Sequence, residues 1–163
     1  MTITSNDPLQ PGYSYKLTAA VGQLDFKPQL TPRQMLELGV FGGNYFEGET
    51  EEYPASWFKN AKLSNYGHDS HLNYFDIDAS QTRQQWQANG WISPEDPRGW
   101  FQWYCRYFMG RRLPKEDTRQ INRWRQMSRH LGQVQANCVP GDQLCRRRQR
   151  QALLHWAYDS RNI

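Results

Sequence analysis

Arg98, Gln102 and Arg106 follow one another at intervals of four residues, a pattern suited to binding an anion. Residues four apart share one face of an α-helix. Guanidinium and amide groups on a buried face can hold a phosphate or a carboxylate through planar, charge-assisted contacts. The same pattern also fits a structural role, in which acids of the N-terminal half of the chain neutralise the two arginines. The sequence leaves both interpretations open.

A second group of basic residues could bind nucleic acid. Residues 98–163 contain thirteen arginines and one lysine and carry a net charge of +10, whereas residues 1–97 carry −6. Arginine favours planar contacts with phosphate and stacking on rings. Alternatively, the two oppositely charged halves of the chain attract each other. The candidate nucleic-acid-binding residues are Arg119, Arg123, Arg129, Arg146, Arg147, Arg148 and Arg150.

His155 and Asp159 are the candidates for acid–base catalysis. The two residues are four apart in a segment with helical character. A carboxylate one helical turn from an imidazole can orient it as a general base. An ordinary ion pair at the end of a helix explains the same spacing equally well.

Metal-binding patterns are weak in this sequence. His68, Asp69 and His71 lie close together in a polar segment, and Cys138 and Cys145 flank a Pro-Gly turn with six residues between them. Strong zinc signatures have more closely spaced ligand pairs. We therefore predict no metal and no cofactor, and we regard a local disulfide between the two cysteines as possible only under oxidising conditions. The odd cysteine count argues against a secreted disulfide framework and favours a cytoplasmic location.

The elements that position these residues are predicted to be helices. Capping residues, first-turn prolines and terminal glycines support this assignment. The segment 97–109 has an aromatic face formed by Trp100, Trp103, Tyr104, Tyr107 and Phe108, which predicts the central helix of the fold. The predicted helices cover residues 31–39, a short segment from residue 54, and residues 81–89, 97–109, 114–130 and 142–158.

Length and composition agree with one small helical domain. The chain has 163 residues, of which 37% are hydrophobic and 14% aromatic, and its mean hydropathy is −0.94. No apolar run approaches the roughly 18 residues of a membrane span. We predict an all-α fold in which residues 31–163 form a single compact domain of five or six helices. Residues 1–30 are predicted to form an extended or partly disordered arm.

The segment GWFQWYCRYFMGRR, residues 99–112, resembles a family of hypothetical proteins from photosynthetic microbes, plants and fungi. The segment RQALLHWAY, residues 150–158, is similar to the same family. The likeness extends over roughly residues 30–163. The resemblance implies a widespread intracellular role and supplies no catalytic residues.

These observations predict a nucleic-acid-binding protein that uses an arginine-rich C-terminal face, with unpaired or damaged bases as candidate targets. The first alternative is a small enzyme that acts on an anionic metabolite in a pocket formed by Arg98, Gln102, Arg106 and His155. The second alternative is a non-catalytic adaptor for an acidic protein partner. The sequence does not decide whether the chain is an enzyme or what its oligomeric state is.

Overall fold

Most of the regular structure is helical. The computed structural model describes residues 1–80 and 93–163. Within these ranges two 3-10 turns, Ala55–Trp57 and Ser70–Leu72, accompany the α-helices, and the predicted helix at 81–89 lies outside them. The prediction of a mainly helical chain is confirmed. The α-helices are α1 (Pro32–Glu37), α2 (Trp100–Met109), α3 (Pro114–Gln126), α4 (Ser128–Asn137) and α5 (Arg147–Leu154).

Local capping signals account for the first two helices. Thr31 caps α1 through its side chain, which accepts a hydrogen bond from the backbone of Gln34, and the Gln34 side chain bonds back to Thr31. Helix α2 starts at Trp100, three residues later than predicted. The reason is Gly99, whose φ of 104° lies outside the helical region.

The C-terminal helices are shorter than the sequence suggests. The predicted helix 114–130 divides at Met127 into α3 and α4. Helix α5 covers only part of the predicted segment 142–158. Arg146 before α5 and Ala157 after it both adopt left-handed backbone conformations, which a continuous helix excludes.

The N-terminal arm contains a small sheet that an all-α prediction does not include. Strands β1 (Thr2–Thr4) and β2 (Ser14–Lys16) pair antiparallel, with Ile3 opposite Tyr15. The arm then contacts the helices, because the backbone N–H of Thr18 donates to the carbonyl of Gly110 at 2.9 Å. Leu30 at its end is buried in the core.

Helix α2 lies at the centre of the core. Its residues from Trp100 to Tyr107 are all buried, and Trp103 has no exposed surface. Phe108 was predicted on the same buried face, but its side chain is 51% exposed. Phe26 of the arm lies against the aromatic face of α2, with its ring centroid 5.5 Å from those of Trp103 and Tyr107. Among the helices the structure describes, none has the length and apolar character needed to cross a membrane.

Candidate functional site

Arg98, the first residue of the predicted anion site, is buried against acids of the N-terminal half. Its Nε and Nη2 donate to the two carboxylate oxygens of Asp7 at 2.5 and 2.9 Å. Its Nη1 donates to Glu47 at 2.9 Å. The Gln102 side chain stabilises the start of α2, because its amide oxygen accepts a hydrogen bond from the backbone N–H of Arg98 at 2.9 Å. Burial is the largest single influence on Asp7 and opposes its ionisation, but the hydrogen bonds from Arg98 and the Leu9 backbone and the charges of Arg98 and Arg106 together lower the pKa of the carboxyl.

Arg106 is also enclosed by internal acids. It donates from Nε and Nη2 to the carboxylate of Glu52 at 2.7 and 2.9 Å, and from Nη1 to Asp96 at 3.0 Å. The second oxygen of Asp96 accepts a 2.6 Å bond from Arg111. The structure therefore corresponds to the alternative in which N-terminal acids neutralise Arg98 and Arg106. Their role in binding a ligand stays a prediction without geometric support.

His155 and Asp159 are not brought together. Helix α5 ends at Leu154, and Ala157 adopts a φ of 61°, so the four-residue spacing no longer spans one helical turn. The carboxylate of Asp159 instead accepts two 2.8 Å bonds from Arg161. The predicted catalytic pair thus loses its geometric basis.

Two of the predicted nucleic-acid-binding arginines are held by contacts within the protein. Arg150 has no exposed surface, and its Nε and Nη1 donate at 2.8 Å to the carbonyls of Cys145 and Ser160. Arg119 is half-buried and forms an ion pair of 2.6 Å with Glu116. The sequence prediction that Arg150 belongs to a surface that binds nucleic acid is therefore wrong. Its side chain is buried because that face of α5 packs into the core.

Of the five remaining candidates, Arg123 is half-buried in α3 and the other four lie around α4 and α5. Arg129, Arg146 and Arg148 are exposed, and Arg147 is half-buried. In the described part of the chain, none of these four forms an ion pair with an acidic side chain. We call Arg129, Arg146, Arg147 and Arg148 the arginine rim.

A cleft of about 430 Å³ opens beside this rim. Trp100 and Gly99 form its floor, and α5 together with the residues that follow it contributes one wall. The opposite wall comes from the end of α3 and the start of α4. The described residues that line the cleft are Ala79, Ser80, Gly99, Trp100, Arg123, Gln126, Met127, Arg129, His130, Ala152, His155 and Trp156.

Polar side chains hold the two walls of the cleft at one end. Nε2 of Gln149 in α5 lies 2.9 Å from Nδ1 of His130 in α4 and donates to Gln133 at 2.6 Å. Arg146 donates to the amide oxygen of Gln149 at 3.2 Å. Arg148 lies one helical turn before Ala152, and residues with this spacing share a face. Arg148 therefore lies on the same helix face as Ala152, which lines the cleft, and Arg129 belongs to both the rim and the cleft lining.

Arg123 gives the cleft a cation beside an aromatic ring. Its guanidinium lies over the ring of Trp156, 5.2 Å from the centroid, and Trp156 packs against Trp100 at 5.0 Å. Burial, together with the neighbouring charge of Arg119, lowers the pKa of Arg123 to about 10. The group remains protonated at neutral pH, but its charged form is poorly solvated.

The histidines of the cleft contribute hydrogen bonding at neutral pH. Burial lowers the pKa of His155 to about 4, which keeps its imidazole neutral. Burial and the adjacent Arg129 charge lower the pKa of His130 as well. A neutral imidazole offers one donor and one acceptor. The positive charge of the site therefore comes from its arginines.

The cysteines do not contribute to this cleft. Cys138 and Cys145 form a disulfide, and Cys105 is a buried free thiol in α2. No group of three or more His, Cys, Asp or Glu side chains gathers at metal-binding distance in residues 1–80 and 93–163. Disulfides are uncommon in a reducing cytosol, and the cytoplasmic location stays a prediction.

Comparison with known proteins adds no relative: no family model, curated protein or solved structure matches the chain.

Sequence reasoning found the cations of this site but missed its aromatic and apolar walls. The sequence predicts Trp100 on the aromatic face of the central helix, and it gives Trp156 only as part of the segment that carries the resemblance. The spacing of Ala152, His155 and Trp156 places all three on one side of the chain, next to Arg148. That spacing was the available signal, but it could not indicate which helix lies opposite.

Proposed function

We propose that the protein binds nucleic acid, with the arginine rim on α4 and α5 as the phosphate-binding surface. One observation carries this proposal: the four rim arginines are exposed or half-buried and form no ion pair with a carboxylate within the described chain, whereas six of the other nine arginines of residues 98–163 pair with Asp or Glu and the remaining three bond to carbonyl or amide oxygens. Those nine are Arg98, Arg106, Arg111, Arg112, Arg119, Arg123, Arg125, Arg150 and Arg161.

The arrangement of the rim suits a polyanion. Arg146, Arg147 and Arg148 are consecutive at the start of α5, and Arg129 lies at the start of α4, across the Gln149–His130 contact. Repeated guanidiniums on neighbouring helices can contact successive phosphates of one strand. Binding of this kind gains free energy by releasing counterions from the nucleic acid.

The salt dependence of binding tests this mechanism. Each phosphate contact contributes about 0.7 to 0.9 to the slope of log K against log salt. Four contacts give a slope of about −3. The measurement is fluorescence anisotropy of labelled single- and double-stranded oligonucleotides between about 50 and 200 mM salt.

Two double variants with the same change in net charge separate the effect of the rim arginines on binding from the effect of overall charge. The double variant Arg129→Glu/Arg148→Glu is expected to lose binding while its melting temperature stays close to that of the parent, since both side chains are exposed. The control variant Arg33→Glu/Lys59→Glu makes the same charge change at exposed residues far from the rim in sequence, and it should retain most of the binding. The proposal fails if the parent does not bind at about 50 mM salt or if both variants lose binding equally.

A carboxylate polymer separates nucleic acid from an acidic protein partner. Polyglutamate presents repeated negative charge without phosphate, and guanidinium groups hold both anions. We expect it to compete weakly at a charge concentration at which unlabelled oligonucleotide competes fully. Equal competition by the two polymers would favour the adaptor hypothesis instead.

A further inference from the structure

We infer that the cleft beside the arginine rim is a binding site for one nucleotide unit, with its planar ring inside the cleft and its phosphate at the rim. The inference rests on the proposed nucleic-acid binding only in that the same arginines supply the phosphate contacts. It adds a specific pocket and a ligand class, an aromatic ring that carries a phosphate.

The size and lining of the cleft fit such a ligand. Its volume of about 430 Å³ lies within the roughly 300–1,000 Å³ of small-molecule sites. Met127, Ala152 and Trp156 provide apolar surface, whereas Gln126 and His155 provide polar groups. An apolar cavity with a few placed polar groups is the usual composition of a ligand site.

Arg123 supplies the platform for a ring. Its guanidinium plane already lies over Trp156, and guanidinium planes stack on nucleobases as aromatic rings do. A base on the outer side of Arg123 would extend this stack by one layer.

The polar groups of the cleft match the edge of a base. The amide of Gln126 offers a donor and an acceptor, whereas the ring of His155 already lies 3.4 Å from Nε2 of Gln151 and bonds to the backbone of Val40. Nucleobases present both kinds of group on one edge. The residues known to line the cleft include no Asp or Glu, so an anion would meet no like charge from them.

The charge gradient of the cleft orients the ligand. Arg129, which lines the cleft, and Arg148 beside it are exposed, whereas Trp100, which also lines the cleft, is almost fully buried. The phosphate therefore remains near solvent at the arginines, and the ring enters the cleft. A free nucleotide and the phosphorylated end of a strand present this same chemistry.

Two further cavities among the described residues suit this ligand less well. A cavity of about 220 Å³ beside the segment 39–50 is smaller than most ligand sites. An open groove of about 360 Å³ between the arm and α2 is lined mainly by apolar groups such as Leu24 and Phe108. Only Arg112 among its described lining residues is charged.

Calorimetry with adenosine 5′-monophosphate tests the site directly. Adenosine lacks the phosphate and ribose 5-phosphate lacks the ring, and we expect each to bind at least about tenfold more weakly than the complete nucleotide. A dinucleotide with and without a 5′-phosphate distinguishes a strand end from a free nucleotide. The inference is overturned if adenosine monophosphate does not bind at about 1 mM or if ribose 5-phosphate binds as tightly.

Replacing two different alanines by leucine, one inside the cleft and one outside it, tests where the ligand binds. Ala152→Leu narrows the cleft and is expected to weaken nucleotide binding by about tenfold or more. Ala136→Leu makes the same change at an exposed position of α4 that does not line the cleft, and it should bind like the parent. Equal affinity of the Ala152→Leu variant and the parent would place the ligand elsewhere.

Nucleotide and oligonucleotide binding can fail separately. If oligonucleotides bind and adenosine monophosphate does not, the cleft is not a nucleotide site and the rim proposal stands. If adenosine monophosphate binds and oligonucleotides do not, the cleft is a site for free nucleotides and the nucleic-acid proposal is wrong. Arg129→Gln should weaken both ligands, because Arg129 belongs to both the rim and the cleft.

Discussion

Arg146 and Arg150 lie one helical turn apart at the start of α5, yet Arg146 is exposed and Arg150 is completely buried. Arg150 donates at 2.8 Å to the carbonyls of Cys145 and Ser160, and its own carbonyl accepts a 2.6 Å bond from the Ser160 hydroxyl. It thereby joins the loop before α5 to the C-terminal segment. Among the described residues, the Arg146 side chain donates one hydrogen bond, at 3.2 Å to the amide oxygen of Gln149.

Charge reversal should therefore lower the free energy of unfolding strongly at Arg150 and hardly at all at Arg146. Arg150→Glu places a carboxylate where two carbonyl oxygens need donors, and we expect it to lower the free energy of unfolding by about 3–5 kcal/mol. Arg146→Glu should change it by less than about 0.5 kcal/mol. Thermal unfolding followed by circular dichroism checks both variants, and equal melting temperatures would contradict the burial of Arg150.

Truncation of Trp103 tests the aromatic core of α2. Trp103→Ala should cost about 3–5 kcal/mol, as large aromatic truncations in cores do. Trp103→Phe keeps most of the volume but removes the 2.8 Å indole bond to Asp117, at a cost of about 1–3 kcal/mol. Phe108→Ala in the same helix is the control, because that ring is half exposed. Comparable losses in Trp103→Ala and Phe108→Ala would show that the core lies elsewhere.

Neutralising Glu52 tests the buried ion-pair network that Arg106 of α2 forms with Glu52 and Asp96. Its carboxylate accepts two bonds from Arg106 and a 2.6 Å bond from the hydroxyl of Tyr15. Glu52→Gln leaves the buried Arg106 charge only partly compensated, and we expect a loss of about 3 kcal/mol. Denaturant unfolding of this variant beside Glu49→Gln, whose side chain forms no ion pair in the described chain, measures the difference. A loss no larger than that of Glu49→Gln would contradict the model of a tightly held pair.

The carboxyl of Glu52 also makes the free energy of unfolding depend on pH in the acid range. Burial is the largest single influence and raises the pKa of Glu52, but the hydrogen bonds from Arg106, Tyr15 and Ser5 and the charge of Arg106 together outweigh it, so the net pKa lies below the ordinary value of 4.5. Its contribution is therefore complete above pH 4.5 and is lost as the pH falls through the lower folded-state pKa. Glu52→Gln should flatten the stability profile in this acid range.

The parts of the fold that sequence predicts are those with local causes. The Thr31–Gln34 capping box and the glycine at position 110 act within one turn of the helix ends that they define. The β1–β2 pair was missed because each strand has three residues and its stability comes from contacts across the turn and with the helices. Gly99 was missed as a helix start because its positive φ depends on the Asp96–Gly99 turn.

The candidate site was harder to predict because its charges have distant partners. Whether Arg98 binds a ligand or Asp7 depends on a contact across 91 residues of sequence. Arg150 looks like its neighbours Arg147 and Arg148 in sequence, and only the packing of α5 decides which of them is buried. The identity of the cations was thus predictable, whereas their surroundings were not.

Reduction of the Cys138–Cys145 disulfide should lower stability. A bridge across a separation of seven residues restricts the unfolded chain and contributes about 2–3 kcal/mol. Thiol titration in denaturant should find one free cysteine, Cys105, before reduction and three afterwards. The Cys138→Ser/Cys145→Ser variant is the control and should melt at the same temperature with and without reductant. The bridge does not form if the melting temperature of the parent is unchanged by reductant, or if the parent has three free thiols before reduction.

Titration of His155 should make the protein less stable as the pH falls below neutrality. Its folded-state pKa is about 4, against an ordinary value of 6.5, chiefly because of burial, with the Asp78 charge opposing the shift and His68 reinforcing it. Between pH 6.5 and about 4 the unfolded chain binds a proton that the native chain does not. The contribution of His155 is therefore complete above pH 6.5 and is lost as the pH falls towards 4.

Replacement of this histidine should remove that part of the pH dependence. His155→Gln cannot be protonated, so the loss of roughly 1–2 kcal/mol between pH 6.5 and 4 should disappear from its denaturant unfolding profile, a value reduced for the partial exposure of the ring. His71→Gln is the informative control, since the hydrogen bond to Asp76 raises the pKa of His71 and its small effect has the opposite sign. A His155→Gln profile parallel to that of the parent over this interval would mean that solvent reaches the imidazole freely and that the cleft wall at α5 is open.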